Sequence, residues 1–175
     1  MSRAKIIRPI RKIEHDPVYH SKLISKIINC SMYDGKKDTA MRGIYDALEA
    51  IQKNIAEEYA KKHTEDSSST TEIMTAWFVE EVINKISPAV EIRSRRIGGA
   101  NYQIPVALSP KRRLGLSIRW LVDGARARKE RGMSAKFAAE LRDAIQERGE
   151  AIKKRDTMHK TAEANKAFAH YGANG

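Results

Sequence analysis

The order of apolar and polar residues along this chain predicts mostly helices. Apolar residues recur every three or four positions in five segments, residues 20–33, 36–62, 71–87, 110–131 and 134–149, and a sixth helix is expected over 150–170. On the third helix we expect the buried face to contain Ile73, Trp77, Ile83 and Ile86. Asp34-Gly35 should end the first helix, since glycine favours the conformation that closes a helix.

The period changes between the third and fourth helices. Two short runs alternate apolar and polar residues with the spacing of strands, Val90 and Ile92, then Tyr102, Ile104 and Val106. The polar stretch between them contains two adjacent glycines and predicts a turn. We therefore predict one β-hairpin over residues 89–107. Because a lone hairpin is only marginally stable in water, its base should rest on the helices while its tip projects.

These elements predict a mainly α fold, a six-helix single domain over residues 16–171 with a protruding β-hairpin between helices three and four. A length of 175 residues agrees with one domain, since domains commonly hold about 100–200 residues. Residues 1–15 are expected to form a basic N-terminal arm and residues 172–175 a flexible tail. The polar, serine-bearing stretch 61–71 is predicted to be a loop.

Composition adds a strong charge imbalance. The chain has 33 Lys and Arg against 22 Asp and Glu, a formal net charge of +11. Such an excess favours an anionic partner, nucleic acid first and an acidic membrane surface second. Cys30 is the single cysteine, so neither an internal disulfide nor a thiolate zinc site is expected. No apolar run reaches the roughly 18 residues of a membrane-spanning helix.

Basic residues are concentrated in three places, and the first is the N-terminal arm. Glu14 is the only acid among its basic side chains, which are Arg3, Lys5, Arg8, Arg11 and Lys12. Such a segment is either a frayed terminus or an arm that becomes ordered on a phosphate backbone. Its position in the sequence does not decide between these interpretations.

The second basic group is the hairpin turn. Arg93, Arg95 and Arg96 are followed at once by Gly98 and Gly99. Arginine matches phosphate oxygens with its planar fork, and glycine lets a sugar-phosphate strand approach the backbone. Tyr102 offers a ring for base stacking. The alternative is a solvated turn whose charges only discourage edge pairing; the absence of an acid between Ser94 and Tyr102 favours RNA.

The third group is the fourth predicted helix. Arg112, Arg119 and Arg126 are seven residues apart and should form one stripe beside the buried face. Lys111 and Arg113 add charge at its start. Only Asp123 and Glu130 oppose eight cations between residues 111 and 131. This excess favours a binding surface over an ordinary solvated helix face.

Enzymatic chemistry has little support. The five histidines (His15, His20, His63, His159 and His170) show no metal-ligand spacing, and no phosphate-binding loop, nucleophile elbow or paired-acid motif is present. Cys30 follows an apolar helix face and is better explained as core. We expect no catalytic residue, no metal and no cofactor.

Several motifs resemble the small-subunit ribosomal protein seven family in its bacterial or organellar type. They are VEIRSRRIGGANYQIPV at 90–106, KKRDTMHKTAEANKAFAHY at 153–171, Arg112-Arg113 with Arg119-Trp120, and Asp34-Gly35-Lys36-Lys37. The resemblance covers nearly the whole chain. It implies six helices with a β-ribbon, and a structural protein that binds the three-prime major domain of small-subunit ribosomal RNA and nucleates assembly of the subunit head.

The resemblance also implies residue roles. The ribosomal-RNA surface would comprise basic residues of the arm, first helix, following turn, hairpin and fourth helix, namely Arg3, Lys5, Arg8, Arg11, Lys12, Lys22, Lys26, Lys36, Lys37, Arg93, Arg95, Arg96, Lys111, Arg112, Arg113 and Arg119. Residues facing exit-site tRNA and mRNA would be Arg95, Arg96, Gly98, Gly99, Lys153, Lys154 and Arg155. Neighbouring proteins of the head and platform would be further partners, with no membrane and no DNA.

The chain also departs from the family pattern. Residues 56–72 are longer and richer in serine, Thr157, Met158 and Thr161 are unusual, and the chain ends Gly-Ala-Asn-Gly. A cytoplasmic ribosome is the expected location, with a mitochondrial or plastid matrix as the alternative. Two rival functions are a nucleoid-type DNA-binding protein, which usually requires a dimer, and an RNA-modifying enzyme, which requires a cofactor pocket.

Overall fold

The structure, a computed structural model, describes residues 12–62 and 70–171. The predicted arm before Lys12, most of the predicted 61–71 loop and the predicted tail at 172–175 lie outside the described residues.

Over the described residues the fold has seven α-helices, one two-stranded antiparallel hairpin and a short 3-10 helix. In chain order they are α1 (Lys22–Ser31), α2 (Lys37–Ala50), α3 (Gln52–Lys62), α4 (Thr71–Ile86), β1 (Val90–Ile97), β2 (Ala100–Ala107), α5 (Pro110–Ala127), α6 (Met133–Ile145), α7 (Glu150–Ala164) and the 3-10 helix η1 (Lys166–Tyr171). The mainly α class and the hairpin between the third and fourth predicted helices are confirmed. The hairpin pairs from Val90 to Ala107, one residue shorter than predicted.

The predicted number of six helices is wrong, because the segment expected to be one helix over 36–62 is two. Ile51 leaves helical geometry, with φ −106° and ψ 12°, and separates α2 from α3. Ile51 is nevertheless completely buried, and Ile55 on α3 is also in the core. The apolar stripe therefore continues across the break, so its period gives no sign of it.

The core is formed by apolar faces of α1, α2 and α4 to α7, with contributions from Ile51 and Ile55. The predicted face of α4 is partly wrong. Ile73 is 56% exposed, whereas Phe78, Val79 and Val82 are buried. This helix carries apolar residues around most of its circumference, so the sequence does not single out one face.

The hairpin is closed by a two-residue turn. Ile97 pairs with Ala100, and Gly98 and Gly99 between them have φ of 56° and 90°. Two successive positive φ values match the tight turn that suits the twist of paired strands, and glycine adopts them without steric cost. The predicted turn is confirmed at its two glycines but is shorter than expected, because Ser94 to Ile97 and Ala100 to Asn101 are paired in the strands.

The base of the hairpin is attached to the end of the chain. The backbone N–H of Ala89 donates to Nε2 of His159 on α7 at 3.1 Å. Tyr102 on β2 packs against Phe168 of η1, with ring centroids 5.2 Å apart. The first contact holds the hairpin base on α7, and the second holds the half of the hairpin nearer the turn on η1. Such support is expected because a lone hairpin is only marginally stable.

A buried carboxylate joins α5, α6 and α7. Glu140 is completely buried and accepts hydrogen bonds from Arg128 Nη1 at 2.7 Å and from the N–H of Ala151 at 3.0 Å. Side chains at Gly124 and Gly149 would collide with it, since a Cβ there would lie 2.7 and 2.9 Å from Glu140 Oε1. This cluster fixes α7, and with it the C-terminal lysines, relative to α5.

Candidate nucleic-acid interface

The last residues of the predicted arm are anchored on the helices. Asp16 is 1% exposed. It accepts the N–H groups of Val18 and Tyr19 at 3.2 and 3.0 Å and the hydroxyl of Tyr45 at 2.7 Å. Because Tyr45 lies on α2, this carboxylate holds the segment just before α1 against the fold. Lys12 therefore lies close to a segment that is fixed against the helices.

The structure brings Lys12 and Lys37 together in one cleft. Both line a cavity of about 550 Å³ between the 12–17 segment, α1 and the start of α2. Glu14 and Asp38 line the same cleft, so part of its positive charge is compensated. Lys36 lies outside this cleft, on the turn between α1 and α2.

The lysines of α1 lie beside the start of α5. Lys22 and Lys26 line a groove of about 510 Å³ whose other residues include Asn84 of α4 and Leu114 of α5. This groove places α1 next to the turn of α5 that carries Lys111 and Arg113. The helices α1, α4 and α5, which are distant in sequence, thus contribute to one surface.

One buried carboxylate joins the hairpin to α5. Glu91 is 6% exposed. Its Oε1 lies 2.6 Å from both Nε and Nη2 of Arg93, and its Oε2 lies 3.1 Å from Nε of Arg112. The side chains of Arg93 and Arg112 remain 62% and 50% exposed. Glu91 therefore fixes both guanidinium groups while each keeps N–H groups directed at solvent.

The same contacts set the charge state of Glu91. Burial alone would raise the pKa of this carboxyl, but hydrogen bonds from Arg93 and Arg112 outweigh burial and lower the pKa below its ordinary value of 4.5. Glu91 is thus an anion at neutral pH. Because two arginines share one carboxylate, the hairpin junction keeps a net positive charge.

The hairpin tip exposes the remaining predicted residues. Arg95, Arg96, Gly98 and Gly99 are all exposed. Tyr102 lies opposite Arg95 but is half-buried against Phe168. The tip can therefore offer guanidinium groups and bare backbone to a partner, whereas part of the Tyr102 ring is already used inside the protein.

Among the residues that the structure describes, one member of the arginine stripe predicted on α5 lacks an ionic partner. Arg112 contacts Glu91, and Arg126 lies 3.9 Å from Asp123 and donates to the carbonyl of Ser31 at 3.2 Å. Arg119, by contrast, is exposed and forms no ion pair within residues 12–62 and 70–171.

Two further exposed cations lie in the first turn of α5. Lys111 and Arg113 are exposed and likewise form no ion pair with any residue that the structure describes. Arg128, which also added to the apparent excess of charge, contacts Glu130, Glu140 and Asp143 and serves the fold. Within α5, the exposed cations that form no ion pair with any described residue are thus Lys111, Arg113 and Arg119.

The predicted C-terminal cations separate into two groups. Lys153 and Lys154 line a groove of about 650 Å³ with Ile92 and Gln103 of the hairpin and Trp120 of α5. Arg155 is turned inward, where its Nη1 donates to the carbonyl of Lys85 at 2.6 Å at the end of α4. Lys153 and Lys154 therefore face the hairpin groove, whereas Arg155 stabilises a helix end.

Sequence reasoning did not identify Glu91 and Glu140 as organising residues. Glu91 had a signal, since it is the single acid in the strand Val90–Ile97. Glu140 had none, because its partners Arg128 and Ala151 are 12 and 11 residues away in the chain.

Features of two other kinds of site are absent from the described residues. The described part of the chain contains no cluster of three or more His, Cys, Asp or Glu arranged for a metal ion. None of its helices is both long and apolar enough to cross a membrane.

Comparison with known proteins gives a consistent match. The family model for ribosomal protein S7p/S5e matches residues 2–166. Small ribosomal subunit protein uS7 of Pelagibacter ubique is 45% identical over 171 residues, covering 98% of this chain and 99% of that protein. The uS7 protein of Sulfurimonas denitrificans is 46% identical over 163 residues, covering 93% and 95%. This is a family of structural ribosomal proteins and not of enzymes. The chain therefore belongs to the ribosomal protein S7p/S5e family.

Proposed function

We propose that this protein is a structural constituent of the small ribosomal subunit that binds ribosomal RNA through one continuous cationic surface. The observation that carries the proposal is the exposed group Lys111, Arg113 and Arg119, which forms no ion pair with any described residue. Of the other arginines of α5, Arg126 lies near Asp123, and Arg112 shares the single carboxylate of Glu91 with Arg93. Exposed cations left without carboxylates are suited to phosphate groups.

The surface extends from α5 in two directions. On one side the α1 groove adds Lys22 and Lys26. On the other, the Glu91 junction adds Arg93 and Arg112 and leads to the hairpin tip. Because these elements belong to one packed unit, RNA segments bound by each would be held in a fixed relative arrangement. This geometry supports a role in organising the folded three-prime major domain as the subunit head assembles.

The finer contacts are part of the same proposal. The tip residues Arg95, Arg96, Gly98 and Gly99, with Lys153 and Lys154, would face exit-site tRNA and mRNA, because the two lysines line a groove with Ile92 and Gln103 of the same hairpin. We no longer assign Arg155 to this surface, since its guanidinium is used at the end of α4. Ribosomal proteins of the head and platform would be neighbours, and the ribosome of a bacterial cytoplasm or an organelle would be the location.

The proposal is tested by neutralising two of the exposed cations of α5. Arg113→Gln with Arg119→Gln should weaken binding to a transcript of the three-prime major domain. The slope of log affinity against log salt should fall by about 1 for each phosphate contact removed. Arg142→Gln, on an exposed position of α6, is the matched control and should leave both quantities unchanged.

Duplex DNA provides the competing test. A structural RNA-binding protein should prefer the folded transcript over duplex DNA of equal length at the same salt concentration, since RNA offers shape and 2′-hydroxyl contacts. Equal competition by duplex DNA, or wild-type affinity in the Arg113/Arg119 double variant, would contradict the proposal.

A further inference from the structure

An exposed tyrosine stands at the end of α1, outside the surface described above. Tyr33 is 63% exposed, more than the other exposed large apolar residues Ile13, Val18 and Ile73. The guanidinium of Arg126 lies over its ring, 4.1 Å from the centroid. The same guanidinium is held by the carbonyl of Ser31 at 3.2 Å and by Asp123 at 3.9 Å. Tyr33 is therefore presented beside a fixed cation rather than covered by the core.

Beside this pair is a small apolar cavity of about 230 Å³. Its lining includes Tyr33, Lys36, Ala40, Gly43, Arg126 and Met133, and we call it the Tyr33 pocket. Pockets for drug-sized ligands commonly measure about 300–1,000 Å³. The volume of the Tyr33 pocket therefore suits one planar ring system and not a folded element.

Gly43 shapes one wall of the Tyr33 pocket. It lies inside α2, where glycine is about 0.5–1 kcal/mol less favourable than alanine. Its φ is not positive, and a Cβ built on it meets no atom within 4 Å. Neither backbone conformation nor internal packing therefore requires glycine here. The missing side chain leaves the helix backbone open where it lines the Tyr33 pocket.

The charges around the pocket favour RNA over a protein. Lys36 and Arg126 are on its rim, and no Asp or Glu is among the described residues that line it. The grooves described above, in contrast, contain Glu80 or Glu150. An apolar slot bordered by two cations matches a nucleobase with its adjoining phosphates, because bases stack on aromatic rings and arginine planes.

We propose that the Tyr33 pocket binds one unstacked nucleobase of RNA. The base would contact the Tyr33–Arg126 pair and the open backbone at Gly43, and an adjoining phosphate would reach Lys36. The inference rests on the proposed RNA-binding function and adds to it a base contact on the α1–α2 side of the molecule.

Tyr33→Ala and Tyr33→Phe test the stacking. With the transcript of the three-prime major domain as the probe, Tyr33→Ala should lower affinity about 5- to 150-fold, the usual effect of removing one stacked aromatic. Tyr33→Phe should keep wild-type affinity, since the ring remains. Neither variant should change the salt slope, because stacking displaces no counterion. Ile73→Ala, another exposed large apolar residue, is the control and should bind as wild type.

Gly43→Ala separates ligand binding from stability. The added methyl group should raise the melting temperature of the free protein by about 1–4 °C, because alanine favours the helix. It should also lower affinity for the transcript, since it fills the space next to the base. If Gly43 had a purely structural role, Gly43→Ala would not both stabilise the protein and weaken its binding to RNA.

The outcomes distinguish this inference from the proposed function. If wild-type protein binds the transcript and both Tyr33→Ala and Gly43→Ala bind it equally well, the base pocket is overturned while RNA binding stands. If those variants bind RNA normally but are lost from small subunits purified from cells, the occupant is a protein and the inference is overturned. If wild-type protein does not bind the transcript, the proposed function itself fails.

Discussion

Replacing Glu140 should test how the C-terminal half of the fold is held together. Glu140→Ala removes a completely buried carboxylate that accepts hydrogen bonds from Arg128 and from the N–H of Ala151. The variant leaves that N–H without its partner and the guanidinium without its buried anion. It also leaves an empty space next to Gly124 and Gly149, which the carboxylate fills.

The expected loss can be worked from this geometry. Breaking a buried ion pair by removing one partner usually costs about 3–5 kcal/mol. Because the Arg128 side chain is 19% exposed and also contacts Asp143 and Glu130, we expect the lower end, about 3 kcal/mol. For a chain of this length 1 kcal/mol corresponds to roughly 2–4 °C. The melting temperature should therefore fall by about 6–12 °C.

Thermal unfolding followed by far-ultraviolet circular dichroism measures this shift. A double-mutant cycle with Arg128→Ala should give a coupling free energy of about 0.5–3 kcal/mol, as for residues in direct contact. Glu130→Gln is the matched control. Glu130 contacts the same guanidinium at 3.0 Å, but its side chain is 39% exposed, so its loss should not shift the melting temperature measurably.

The reasoning would be refuted by a simple result. If Glu140→Ala lowers the melting temperature no more than Glu130→Gln does, then burial of the carboxylate does not determine its contribution. A coupling free energy of zero between residues 140 and 128 would refute it equally.

Three further predictions concern glycine, pH and the C-terminal cations. Gly124→Ala should lower the melting temperature because its Cβ would lie 2.7 Å from Glu140 Oε1, whereas Gly115→Ala, where nothing lies within 4 Å, should raise it by about 1–4 °C; thermal melts of both variants are the check. The pKa of Glu91 is lowered in the folded state, so its stabilisation is fully present above the ordinary value of 4.5 and is lost as pH falls through the lower folded pKa. Urea titrations below pH 5 should therefore show a smaller acid-induced loss for Glu91→Gln than for wild type, and identical pH dependence would contradict this assignment. Arg155→Gln should lower the melting temperature without changing the salt slope of RNA binding. Lys153→Gln should reduce the salt slope without changing the melting temperature. Thermal melts and salt titrations on the same samples would show both effects.

The hairpin was the element best predicted from sequence. Its alternation of apolar and polar residues and its Gly98-Gly99 turn are local signals, and the observed pairing from Val90 to Ala107 differs from the prediction by one residue. The break at Ile51 was not predicted because it interrupts hydrogen bonding and not the apolar stripe. Where a helix breaks depends on what the segment packs against, which is information outside the segment itself.

The candidate interface was predictable in its charge and not in its details. A seven-residue spacing correctly places Arg112, Arg119 and Arg126 on α5. It cannot show that Glu91, 21 residues before Arg112, contacts this arginine, or that Arg126 turns toward Tyr33. Which cations remain available to a partner is decided by such distant contacts. The exposed aromatic ring of Tyr33 was missed for the same reason, since the sequence places it only before a turn.

Glu140 and Glu91 show how a buried glutamate can serve the fold or the interface. At Glu140 one arginine, Arg128, meets three acids, so its N–H groups are consumed inside the protein. At Glu91 one acid meets two arginines, each at least half exposed, so positive charge and free N–H groups remain. Because those groups are fixed before binding, less conformational entropy is lost when they contact a phosphate. The ratio of acids to arginines around a buried carboxylate therefore separates a cluster that stabilises the fold from one that is preorganised for an anionic partner.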